Sequence, residues 1–210
     1  HPYVWADWSL HIGIVNIFAN RDFGTWTAFH PVYSKGQLNY HFAANFITGM
    51  LARMGLSLEN AFALSSILTA IALCFGLYFF CRYLSGSGKR AALAMSLFFF
   101  SAGTGFIDFI FEFFRTWDWQ MWFYPPREYS QHPEFDWPSG NVLVAYLVPQ
   151  RAFLLGTALF VWGFYLALKS HGKSRKGSLL GGFLLGLLAV SHVHTLLVTL
   201  AFWGTYFMAA

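Results

Sequence analysis

Across 210 residues the sequence is 57% hydrophobic, 21% aromatic and only 10% charged, where a soluble domain carries about 25% charged residues. A soluble core of this size cannot hide so much apolar surface, so lipid is the expected solvent for much of the chain. The net charge of +4 comes from Lys and Arg set between apolar stretches rather than along one continuous face, which argues against a nucleic-acid partner. The opening residues do not read as a signal peptide. With His1 at one end and an apolar run reaching Ala210 at the other, an internal piece of a longer protein is expected.

Residues 9–19 carry Leu10, Ile12, Ile14, Val15, Ile17 and Phe18 among His11 and Asn16. The stretch is too short to cross a bilayer and reads as an amphipathic helix lying in the interface. Residues 21–37, with Gly24, Pro31 and Gly36, read as a loop. Residues 39–54 read as a second short helix. Residues 60–81 carry no charge and form the first expected span, with Ser57 as N-cap and Glu59 in the first turn. Cys74 and Cys81 lie in that span, about 10 Å apart along a helix and so beyond disulfide reach.

A basic turn follows, with Arg82, Lys89 and Arg90. Residues 91–107 are the second expected span, ending in Asp108, Glu112 and Arg115 at helical spacing. A polar, aromatic and Pro-rich segment runs to about residue 141. Residues 152–168 are the third span, and Lys169, Lys173, Arg175 and Lys176 make a second basic turn. Residues 178–210 are long for one span and read either as one long helix or as two pieces broken near 191–195.

The two basic turns are separated by an even number of crossings, so alternation puts them on the same side. By the positive-inside rule that side is cytoplasmic. Residues 1–56 and 116–150 then share the external side. The expected fold class is all-α: a polytopic membrane protein with two interfacial helices followed by about four transmembrane helices. Residues 1–56 form an external juxtamembrane unit, and residues 57–210 a transmembrane region with the external loop 116–150.

The candidate chemistry gathers on that external side. Asp7 opens the first interfacial helix, one turn from His11 on the same face. It suits a helix cap, a general base or a metal ligand. Lys35 suits a phosphate as a point charge, or the headgroup level as an anchor. Tyr40 and His41 open the second interfacial helix. Arg151 begins the third span, where a guanidinium either stabilises a leaving phosphate or snorkels. Asp108 and Glu112 lie at the external end of the second span, with a surface pair between Glu112 and Arg115 as the simpler reading. His192 and His194 mark the polar break in the last apolar stretch. No His pair has the spacing of a closed zinc site. No cofactor is required by the pattern, and a divalent metal is the one candidate.

A resemblance joins several of these. Asp7 precedes an amphipathic helix. The run Tyr33-Ser34-Lys35-Gly36-Gln37-Leu38-Asn39-Tyr40-His41 follows, then Gly49 to Gly55, then Ser57 to Cys81 with Arg82-Tyr83-Leu84-Ser85-Gly86. This layout resembles the first half of the GT-C superfamily of polytopic glycosyltransferases, related to protein O-mannosyltransferases and lipid A aminoarabinose transferases. The stretch from Leu179 to Thr195 resembles that family's Gly-rich helix ending in a polar break. The resemblance implies a sugar donor on a polyprenyl phosphate and an acceptor of unknown identity. It also implies that Asp7 is the catalytic base; His11, one turn along, is the partner that the spacing offers. Lys35, Tyr40, His41, Asp108, Arg151, His192 and His194 are then the expected substrate-binding groups.

The sequence departs from the family at two places. Trp8 stands where relatives often carry a second acidic residue. Ser191-His192-Val193-His194 stands where a Lys is common. The expected partners are membrane lipids, a lipid-linked donor and an acceptor, with no nucleic acid. The expected location is a bacterial or archaeal plasma membrane. Two competing readings are a secondary transporter with a broken-helix site and a non-catalytic membrane scaffold subunit.

Overall fold

A computed structural model describes residues 8–26, 30–33, 36–100, 105–127, 129 and 142–209. The described residues are helical, with no strand. In chain order they form α1 (Trp8–Asn20), a 3₁₀ turn (Phe23–Thr25), α2 (Ala43–Arg53), α3 (Leu58–Ser85), α4 (Gly88–Phe100) and α5 (Gly105–Thr116). A second 3₁₀ turn (Trp119–Trp122) and a π turn (Leu143–Leu147) precede α6 (Arg151–Ser170), α7 (Arg175–Gly186), α8 (Leu188–Ser191) and α9 (Val193–Ala209).

The two short N-terminal helices pack side by side and run parallel. His11 meets Asn45 at their starts, at 3.0 Å. At mid-length Gly49 lets α2 approach so closely that a Cβ there would lie 2.5 Å from the Phe18 Cβ and 3.0 Å from the Val15 carbonyl oxygen. At their ends Arg53 donates to the carbonyl oxygens of Phe18 (3.3 Å) and Arg21 (2.7 Å). A cation there complements the negative end of the α1 dipole. Ile14 and Val15 are fully buried. The apolar face of α1 is therefore covered by protein, where the sequence led us to expect a lipid interface. Periodicity marks an apolar face but does not say what covers it.

Helices α3 and α6 are 28 and 20 residues long, and both are long and apolar enough to cross a membrane. Ser57 caps α3 as expected, accepting from the Asn60 N–H at 3.3 Å, with Glu59 in the first turn. Gly86, at φ 67°, ends it, and its N–H bonds the Arg82 carbonyl. The two helices run parallel. Arg151 Nε donates to Ser66 Oγ at 3.1 Å, Trp162 Nε1 to the Ala72 carbonyl at 2.8 Å, and Tyr83 Oη to the Leu168 carbonyl at 3.2 Å. Close approach at mid-length needs Gly76, where a Cβ would lie 2.8 Å from Trp162 Nε1. The parallel register brings the turns after α3 and after α6, with their clusters of Lys and Arg, to the same end of the bundle.

Of the other two expected spans, the last is not a single helix. Of residues 91–107, α4 ends at Phe100 and α5 begins at Gly105; residues 101–104 lie outside the described residues. Of residues 178–210, the two-piece reading holds, with the break at His192, whose backbone is extended (φ −161°, ψ 100°). The pieces fold back on one another. Helix α7 runs antiparallel to α6, with Gly177 against Ser170, Gly181 against Ala167 and Leu185 against Gly163. Helix α9 runs parallel to α6, with Thr195 beside Gly156 and Trp203 stacked on Phe164. His192 thus sits at the tip of a helical hairpin, at the Arg151 end of the bundle. The period of the apolar pattern is the same up and down such a hairpin, so sequence alone left both readings open.

Candidate functional site

Arg151 is the first residue of α6, and its side chain turns inward between α2 and α3. Its Nη2 donates to Thr48 Oγ1 and, at 2.6 Å, to Ser65 Oγ, while Nε holds Ser66. Thr48 and Ser65 can accept because each directs its hydroxyl proton to a backbone carbonyl. Thr48 uses that of Ala44 at 3.1 Å, and Ser65 that of Phe62 at 3.2 Å. The guanidinium carbon lies 4.5 Å from the centre of the Phe62 ring. The third nitrogen, Nη1, is buried and has no hydrogen-bond partner among the described residues. No carboxylate among the described residues pairs with this cation. Leaving a buried cationic donor unpaired is costly, which makes Arg151 a candidate for a functional role.

Arg151 lines a small cavity with Ser65, Ser66 and Thr69, and an apolar groove of about 280 Å³ lies next to it. Ser65 and Thr69 line both the small cavity beside Arg151 and the head of the groove. From there Leu68, Ala72, Leu155, Leu159 and Trp162 continue it between α3 and α6. The site sets a buried cation behind Ser65, whose hydroxyl it holds, beside an apolar groove wide enough for a hydrocarbon chain.

Four histidines gather at the same end of the bundle. His11 comes from α1, His41 from the segment before α2, and His192 and His194 from the hairpin tip. The Tyr40 ring stacks on His41 (4.0 Å between centroids) and meets His11 edge-on (5.8 Å). His41 meets His192 at 6.0 Å, and His192 meets His194 at 5.4 Å. Burial, then the neighbouring His11 and His194, hold His41 below the usual imidazole range. His192 is 7% exposed and packs on Gly156, where a Cβ would lie 2.6 Å from its own. His192 and His194 also line a second groove, of about 230 Å³, with Phe153, Phe160 and Val198. Among the described residues no group of three or more His, Cys, Asp or Glu is placed to hold a metal.

The structure thus brings together His11, Tyr40, His41, Arg151, His192 and His194 at one end. Asp7 and Lys35 lie outside the described residues. Asp108 stands apart, on the polar face of α5, in an open hollow of about 590 Å³ with Arg115, Thr116 and Arg127. The surface pair expected between Glu112 and Arg115 is instead between Glu112 and Arg127, at 3.2 Å. Tyr129 Oη adds a 2.8 Å bond to the same carboxylate. A chain reversal brought Arg127 nearer than the helical neighbour, and local spacing does not report reversals.

Sequence reading missed Thr48, Ser65 and Ser66, the hydroxyls that hold Arg151. The pair Ser65-Ser66 inside an uncharged span was the available signal. It also missed Asn45, whose amide meets His11, and Gly156, which admits His192. Comparison with protein families, with curated proteins and with solved structures finds nothing that matches this chain.

Proposed function

We propose that this chain is part of an integral membrane enzyme that transfers a sugar from a polyprenyl-phosphate donor to an acceptor at the external face. The observation that carries the reading is the buried guanidinium of Arg151, its Nη1 without a partner among the described residues, in a small cavity that adjoins the apolar groove between α3 and α6 through Ser65 and Thr69. A lipid-linked phosphate matches both parts of that site. Its hydrocarbon chain suits the groove, and its phosphate oxygen suits the vacant donor. As the sugar leaves, charge grows on the phosphate, and a fixed cation lowers the barrier most where charge develops. Asp7, four residues before His11 in the sequence, takes the proton of the acceptor hydroxyl. Helices α3 and α6 cross the bilayer, with the basic turns cytoplasmic and the Arg151 end external.

The test is transfer of a lipid-linked sugar by the full-length protein in vesicles. Arg151→Gln and Asp7→Asn should each lower kcat by about 10²-fold or more with the fold retained. Wild-type turnover in either variant removes the role given to that residue, and wild-type turnover in both removes the reading. A broken-helix transporter is the second reading, favoured by the interruption at His192. It requires solute uptake into vesicles with no acceptor present, which the enzyme does not perform.

A further inference from the structure

We infer that the His192 hairpin tip is a proton-sensitive latch, closed on the N-terminal helix pair when its histidines are neutral and released when they are charged. The inference stands on how His192 is bonded. Its Nδ1 accepts the backbone N–H of Thr195 at 3.3 Å and lies 2.7 Å from Thr195 Oγ1. His192 is therefore the N-cap of α9, and its side chain satisfies a donor that the helix cannot. Only the unprotonated nitrogen has the lone pair this needs.

A proton on His192 acts against the tip in three ways. It turns Nδ1 into a donor facing the Thr195 N–H, so the cap is lost. It places a cation at the positive end of the α9 dipole, the wrong end for positive charge. It also sets that cation near two further imidazoles, His41 at 6.0 Å and His194 at 5.4 Å between ring centres. Among the described residues, no carboxylate is seen against the ring. Helix α6 presents Phe153, at 5.3 Å, and Gly156 to the ring. The segment before α2 presents Tyr40 and His41, with His11 behind Tyr40. Helix α9 presents His194 and Thr195. The depressed affinity of His41 for a proton has His11 and His194 among its causes and no carboxylate.

Each element of the latch comes from a separate part of the chain, so release has a direction. The His41–His192 contact joins the N-terminal pair to the hairpin, and its loss frees the tip from the pair. Because Arg151 lies at the same end, release opens that end. The inference does not depend on which reaction the site performs.

Hydrogen exchange in the full chain, held in lipid nanodiscs and corrected for the intrinsic pH dependence of exchange, tests it. At pH 5 the amides of Thr195 and Leu196 should exchange about fivefold or more faster than at pH 8, the scale of a lost cap, while the middle of α6 stays unchanged. His192→Asn should keep protection at both pH values, since Asn caps well and does not titrate. His41→Gln should shrink the acid-induced rise in exchange and move it to lower pH, because one of the charges that opposes the closed tip is gone. Equal protection at pH 5 and pH 8 in the wild type overturns the latch. So does an Asn variant that loses protection at pH 5 as the wild type does.

Discussion

The Tyr83 hydroxyl donates to the Leu168 carbonyl oxygen at 3.2 Å, and this bond ties the last turn of α3 to the last turn of α6. Helices whose final turns touch, and whose N-terminal halves are joined by Arg151 and Ser66, run in one direction. The loops leaving them then emerge on one side. Single cysteines at Ser87 and His171, in a background with Cys74 and Cys81 replaced by Ala, should react with a membrane-impermeant maleimide from the same side. A cysteine at Tyr124 should react from the other. Labelling of Ser87 and His171 from opposite sides contradicts the parallel arrangement.

Helix α7 lies against α6 through glycine. A Cβ at Gly181 would stand 2.8 Å from the Ala167 backbone nitrogen and 2.9 Å from the Gly163 carbonyl oxygen. Backbone cannot rotate away as a side chain can, so the helices must separate to admit it. Small residues at such crossings are how membrane helices gain packing. Gly181→Ala should destabilise by about 1–3 kcal/mol. Gly182→Ala, one residue along and facing open space, should be neutral or slightly stabilising because it removes a helix-interior glycine. Equal effects of the two in a denaturation series would show that α7 does not meet α6 as described.

How much of this was readable before the structure depends on the length scale of each feature. The Ser57 cap, the two long apolar helices and the clustering of basic turns follow from local pattern, and local pattern reports them well. Arg151 stood out because a cation at the head of an apolar span is expensive. Its hydroxyl partners did not, because Thr48 lies 103 residues away in the chain and nothing local points to it. The four histidines were each visible in the sequence, but their convergence depends on a chain reversal at His192 and on the approach that Gly156 permits. The covering of α1 was likewise a matter of what packs on a face, which the face itself does not encode.

Thr48 is fully buried, and its hydroxyl donates to the Ala44 carbonyl and accepts from Arg151, with Ser65 Oγ 2.9 Å away. Thr48→Val keeps the shape of the side chain and removes the acceptor from a buried guanidinium. Losing one partner of a buried charged donor costs about 1–3 kcal/mol. The double variant Thr48→Val with Arg151→Met removes both partners, so its loss should be smaller than the sum of the two single losses. Additive losses in urea or thermal unfolding would mean that the two side chains do not act on one another.

Stability should also depend on pH, with a definite sign. His41 in the folded protein binds a proton less readily than an ordinary imidazole, through burial first and then His11 and His194. The unfolded chain carries no such penalty and takes up the proton near pH 6.5. Between the lowered folded value and 6.5 the unfolded state therefore binds more protons, and stability rises with pH across that window. The contribution of His41 is fully present above about pH 6.5 and is lost as pH falls through the window, levelling off below the folded value. Unfolding in detergent at pH 8, 6.5 and 5 should show the midpoint dropping on the acid side, with the drop reduced in His41→Gln. A midpoint that rises on acidification, or an unchanged drop in the variant, would place the titrating group elsewhere. Carboxylates paired in the fold also lose stability in acid, but near pH 4, so the separation of the two ranges assigns the step to histidine.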